Sequence, residues 1–116
     1  MDTNEQTIQE KLNDVLAANT EWVKFGRDGS GTRLDLIGAD LTGANLTGAN
    51  LTDANLHGST LHNATLAGAD LSKANLIGSS LTGANLTGAD LAEANLSNAR
   101  LNNADLTGIS GLLPNG

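Results

Sequence analysis

A leucine stands at every fifth position from residue 36 to residue 106, fifteen in succession: Leu36, Leu41, Leu46, Leu51, Leu56, Leu61, Leu66, Leu71, Leu76, Leu81, Leu86, Leu91, Leu96, Leu101 and Leu106. Five residues is neither the period of a helix nor that of a strand, and it is not a heptad, which excludes an amphipathic helix, a coiled coil and a single long strand. Two residues after each leucine, nine of the fifteen positions are glycine and three are asparagine (Asn63, Asn98 and Asn103). A helix would not tolerate that much glycine. What remains is an all-β solenoid in which each five-residue unit forms one short extended side and one corner.

Strand alternation turns each leucine and the residue two before it to the same, inward face. From residue 39 onward that earlier residue is Ala, replaced only by Ser59 and Ser79, and the position just before Leu is mostly Asn or Asp. The core is therefore narrow and uniform, as it must be in a chain whose only aromatic residues are Trp22 and Phe25. The Gly or Asn supplies the positive φ that a type II turn requires at its third residue. Each leucine contributes roughly 1.5 to 3 kcal/mol on burial, most of it offset by about 1 to 2 kcal/mol of backbone ordering per residue, so no coil stands alone.

The number of sides follows from features that recur at longer range. The three corner residues that are neither Gly nor Asn are Asp53, Lys73 and Glu93, twenty residues apart each time, and Ser59 and Ser79 share that spacing. Four sides per coil follow. Arg33 extends the charged column backward, so Arg33, Asp53, Lys73 and Glu93 are expected to form a ladder of alternating sign with neighbours about 4.8 Å apart. Each exposed pair would contribute about 0.2 to 1 kcal/mol, enough to favour register. Because a side chain disfavours positive φ, the turns at 53, 73 and 93 are expected to differ from the others.

The unit Ala44-Asn45-Leu46-Thr47-Gly48 carries the pattern A(D/N)LXX, and in this the segment from 34 to 108 resembles the pentapeptide repeat family. The resemblance implies a right-handed quadrilateral β-helix, here of about four 20-residue coils: 34 to 53, 54 to 73, 74 to 93 and 94 to 113. Trp22 and Arg33-Leu34-Asp35-Leu36 are similar to the helical cap that precedes the repeats in many small cyanobacterial members.

Residues 1 to 33 read as that cap and a loop. Ile8, Leu12, Val15 and Leu16 form a helical stripe, Thr3 and Gln6 suit a capping box, and residues 26 to 33 read as the loop. The α-helical cap is expected to lay Leu12, Val15, Leu16 and Trp22 over the first coil, because an open coil exposes its leucines and its unpaired backbone edge. Beyond residue 108 the pattern breaks, and Gly111 takes a leucine position. Residues 109 to 116 are expected to be a plug or tail, with Ile109 to Leu113 either folding back or joining two molecules in a C-terminal homodimer; otherwise the protein is a monomer.

Candidate chemistry is sparse. His57 and His62 lie at outward positions with no Cys or acidic residue at metal-ligand spacing, so solvated surface is the expected role. Asp70 and Asp90 stack on one side, where a paired-carboxylate or cation site competes with an ordinary solvated face beside Lys73. No Ser, His and Asp are expected to share a pocket in a packed tube. In the column just after Leu on the first side stand Ile37, His57, Ile77 and Ser97. Either Ile37 packs on the cap and Ile77 is a scattered exposed residue, or Ile37, His57 and Ile77 make a small docking patch.

The expectation is thus a non-catalytic scaffold or protein-protein interaction module, not an enzyme, with no cofactor and an unknown protein partner. The formal charge of -7 opposes binding to nucleic acid or to an anionic membrane surface. No signal peptide or bilayer-length apolar run is present, which points to the cytoplasm. A DNA-mimic inhibitor of a topoisomerase is the alternative, although a four-coil stack of about 20 Å is shorter than a duplex turn of about 34 Å. An ice-binding solenoid would use Thr47, Thr87 and Thr107 in one column, which Ala67 interrupts.

Overall fold

A computed structural model describes residues 34 to 111 of the chain. The N-terminal cap residues Leu12, Val15, Leu16 and Trp22, together with Arg33 and the segment after Gly111, lie outside the described residues.

The backbone is built from parallel single-residue bridges, each joining a residue to the one twenty positions later. They form four columns: Asp35, Asn55, Asn75, Asn95; Asp40, Thr60, Ser80, Arg100; Asn45, Thr65, Asn85, Asp105; and Asn50, Asp70, Asp90, Ser110. These are four sides of one tube. The register runs through Ser110, two residues beyond the last A(D/N)LXX unit, because Leu91 N–H donates to the Ser110 carbonyl and Ser110 N–H donates to that of Ala89.

One unit shows how the sequence makes a side and a corner. Leu46 N–H donates to the Thr65 carbonyl at 2.7 Å and Gly48 N–H to that of Ala67 at 2.8 Å, which ties the side to the next coil. Ala49 N–H then returns to the Leu46 carbonyl at 3.0 Å and closes the four-residue turn around Gly48, whose φ is 68°.

The Asn and Asp before leucine have a direct structural task. At every one of their eleven described positions the side-chain Oδ1 accepts the N–H of the residue two further on, as Asn75 does from Ile77 at 3.0 Å. That N–H points outward at the corner, where no neighbouring coil offers a carbonyl, so a short acceptor side chain on the same unit satisfies it.

The expectation for the charged corners is overturned. Asp53, Lys73 and Glu93 have φ of 62°, 61° and 60°, in the same left-handed region as the glycine and asparagine corners. The turn is imposed by its hydrogen bonds: Lys73 N–H donates to the Ala92 carbonyl at 2.8 Å and Ala74 N–H to that of Leu71 at 3.0 Å. These fix the corner whatever residue occupies it. The side chain is accommodated by a small shift towards the centre of the left-handed well, since non-glycine corners lie at 59° to 62° and the repeat glycines at 66° to 73°.

The core follows the leucine columns. Leu41, Leu46, Leu51, Leu56, Leu61, Leu66, Leu71, Leu76, Leu81, Leu86 and Leu91 are buried, as are Ala44, Ala54, Ala64, Ala69, Ala74, Ala84 and Ala89, with Ser59 and Ser79 buried in alanine positions and Ala39 and Ala49 partly buried. Leu36, Leu96, Leu101, Leu106 and Ile109 are only partly buried and pack on the rim of this core. Burial thus weakens towards the last coil, which has a neighbour on one side among the described residues.

Candidate functional site

A filled tube offers its chemistry on the outside, so the candidate sites are columns on the four sides. On the first side, backbone bonds from Gly38 to His57, Gly58 to Ile77 and Gly78 to Ser97 place Ile37, His57, Ile77 and Ser97 in one vertical row. Ile37 is 57% exposed, the single exposed large hydrophobic among the described residues, while Ile77 is half-buried. The three members of the expected docking patch are therefore together.

At the corner after the fourth side, Asp53, Lys73 and Glu93 stack, with Asp53 N–H on the Ser72 carbonyl and Lys73 N–H on that of Ala92. On the fourth side itself Asp70 and Asp90 pair as a bridge, yet both carboxylates serve the backbone. Asp90 accepts from Ala92 N–H, and Asp70 accepts from the N–H and hydroxyl of Ser72. Partial burial pushes the Asp70 carboxyl up, but the Ser72 hydroxyl and N–H and the Thr52 hydroxyl outweigh it and hold the pKa below the ordinary value. Among the described residues no group of three or more His, Cys, Asp or Glu is placed to hold a metal ion.

The second side holds the arrangement that sequence reasoning missed. His62, expected to be solvated, is exposed but meets Ser80 of the next coil, Nε2 to Oγ at 2.6 Å. Ser80 Oγ also lies 3.3 Å from Thr82 Oγ1. In the preceding coil Asp40 accepts from the N–H and hydroxyl of Thr42, at 3.1 and 2.7 Å. Its carboxyl is held below the ordinary value by the Thr42 hydroxyl first, then by the Thr42 N–H, with a smaller contribution from the charge of His62. Asp, His and Ser share an open face here, not a pocket. The signal was the spacing of eighteen residues between His62 and Ser80, a diagonal to the next coil that also brings Thr47 Oγ1 to 3.3 Å from Thr65 Oγ1.

The family model for pentapeptide repeats matches residues 32–72 and 69–108. Among solved structures the chain is similar to alr5209, a pentapeptide repeat protein from Nostoc PCC 7120, with 30% identity and a TM-score of 0.72 over 90% of this chain and 78% of that one. It is also similar to HetL from Nostoc sp. strain PCC 7120, a pentapeptide repeat protein involved in regulating heterocyst differentiation: 34% identity and a TM-score of 0.40 over 73% of this chain and 44% of that one. Rfr23 from Cyanothece 51142 shares 34% identity at a TM-score of 0.39, over 66% of this chain and 53% of its own. No curated protein sequence matches the chain.

Proposed function

We infer, from the premise that the chain belongs to the pentapeptide repeat family, whose members are right-handed quadrilateral β-helices, that it is a non-catalytic scaffold that docks a protein partner. The observation that carries this reading is the row Ile37, His57 and Ile77. An isoleucine 57% exposed heads a straight column on a side that is otherwise polar, and a flat stack of this kind holds such a column without rearrangement on binding. The partner presents a complementary apolar strip, and the net charge of -7 favours a neutral or basic surface around it.

The test compares capture by the full chain with capture by the Ile37→Glu/Ile77→Glu variant, using lysate of the native organism. A protein retained by the first and lost by the second is the expected result. Equal retention would move the docking site elsewhere, and the charged corner of Asp53, Lys73 and Glu93 would be the next surface to alter. The topoisomerase reading is not favoured by the length of the stack, and an unchanged gyrase supercoiling assay is expected.

The cap reading belongs to the same proposal. Leu41, Leu46 and Leu51 of the first coil are no more than 3% exposed, whereas Leu96, Leu101 and Leu106 of the last are partly exposed. Leu36, also of the first coil, is partly buried, so the difference is one of degree; it supports an apolar lid over that end, for which Leu12, Val15, Leu16 and Trp22 are the proposed source. Deleting residues 1 to 25 is then expected to cause aggregation or dimerisation in light scattering.

A further inference from the structure

Ser80 occupies the bridge position that Asn or Asp holds in eleven other units. In those units an Oδ1 accepts the N–H two residues on, but the serine side chain stops one atom short of that acceptor. Thr82 N–H accordingly donates to no acceptor among the described residues. The same serine has a histidine nitrogen 2.6 Å from its Oγ. A hydroxyl in contact with an imidazole, beside an unused backbone donor and the Thr82 hydroxyl, combines a nucleophile, a base and a place for a developing negative charge. Arg100 follows Ser80 in the column, about one coil spacing of 4.8 Å away, and adds a positive charge to that end of the face.

We propose that Ser80 is an acyl-acceptor site, taking the acyl group of an activated donor such as a thioester, an acyl phosphate or an aryl ester. With its proton on Nδ1, His62 accepts the Ser80 hydrogen bond at Nε2 and removes the proton as Oγ attacks the acyl carbon. The carbonyl oxygen becomes an oxyanion facing the Thr82 N–H and hydroxyl. Collapse breaks the bond to the leaving group, which departs with the proton from His62, and an ester remains on Ser80. No oxidant, reductant or metal enters the balance. The ladder holds these groups in place: Ser80 N–H donates to the Ser59 carbonyl at 2.9 Å and Leu81 N–H to that of Arg100 at 2.7 Å. This is a modification in a single turnover, independent of the docking role.

Other serines serve as internal controls. The Ser97 hydroxyl donates to Asn95 Oδ1 at 2.7 Å and has no histidine partner, and Ser79 is fully buried. The experiment treats the full chain with p-nitrophenyl acetate at about pH 8 and follows acetylation at each serine by peptide mass spectrometry. General-base assistance is worth roughly 10²- to 10⁴-fold in a formed active site. On this open face Ser80 is expected to acetylate at least about tenfold faster than Ser97, and His62→Gln to remove that advantage while leaving the thermal melt unchanged, because its side chain points outward. Ser80 labelling no faster than Ser97 overturns the proposal, and so does an advantage that survives in folded His62→Gln. Should that variant fail to melt as wild type, His62→Asn replaces it under the same criteria.

Discussion

Ser59 and Ser79 fill the same inward position one coil apart, but only one of them has a partner. Ser79 Oγ donates to the Leu76 carbonyl at 2.8 Å, whereas Ser59 Oγ is buried without a hydrogen bond. A buried hydroxyl left unpaired costs about 1 to 3 kcal/mol, and alanine is the residue used at the other coils of this column, Ala39 and Ala99. Ser59→Ala is therefore expected to stabilise the protein by about 1 kcal/mol. Ser79→Ala, which loses a bond along with its hydroxyl, is expected to be neutral or slightly destabilising. Urea unfolding of the two variants side by side checks this.

A second expectation concerns strain. Lys73 is held at a φ of 61° by the hydrogen bonds of its turn, and a left-handed conformation costs an L-residue roughly 1 to 2 kcal/mol. Glycine removes that cost but adds about 0.5 to 1 kcal/mol of unfolded-state entropy. Lys73→Gly should thus be neutral to stabilising by up to about 1.5 kcal/mol. A loss of stability, measured by thermal melting, would mean that the lysine side chain supplies a contact that outweighs its strain.

These corners mark the boundary of what the sequence discloses. The five-residue period, the inward leucines and the four-sided coil are legible because each expresses burial, and burial repeats in register with the chain. The φ at Asp53, Lys73 and Glu93 was not legible, because local preference there is overruled by hydrogen bonds to the next coil and across the turn. The contact of His62 with Ser80 was missed for a related reason. It runs diagonally between coils at eighteen residues, while the columns repeat at twenty. That Ile37, His57 and Ile77 share one row was legible, since membership of a column depends on period alone.

Position along the stack should decide the cost of core substitutions. Leu71 is fully buried with coils on both sides, so Leu71→Ala is expected to cost about 2 to 5 kcal/mol, and Leu106→Ala, on the partly buried rim, clearly less. Leu71→Asp places a charge among leucines and should abolish cooperative unfolding. A Leu71→Asp protein that melts like wild type would place this side chain outside the tube.

Acid sensitivity follows from the lowered carboxyls of Asp40, Asp70 and Asp105. Their folded values lie below the unfolded one of about 3.9, so the unfolded state binds more protons in that window and stability falls as pH drops through it. The contribution is fully present above about pH 4 to 5. Reduced repulsion near the isoelectric point acts in the opposite sense, so the informative comparison is with Asp70→Asn, which keeps an acceptor at the same place. Between about pH 5 and 3 the melting temperature of wild type should fall more steeply than that of the variant, and parallel curves would remove Asp70 from the explanation.

Both the docking row, whose residues lie twenty apart in one column, and the acyl-acceptor site, whose His62 and Ser80 lie eighteen apart on a diagonal, depend on a coil of twenty residues, which cysteine pairing reads directly because the chain contains no cysteine of its own. Positions 57 and 77 are neighbours in the row of the first side, joined through the bond from Gly58 N–H to the Ile77 carbonyl at 2.9 Å. The coil spacing of about 4.8 Å lies within the 4.4 to 6.8 Å that a disulfide spans between Cα atoms. Position 67, ten residues away, is on the opposite side of the tube. Under mild oxidation His57→Cys/Ile77→Cys is predicted to close an intramolecular disulfide, and His57→Cys/Ala67→Cys is predicted to stay reduced. Closure of the 57 and 67 pair, with 57 and 77 remaining open, would contradict the four-sided coil.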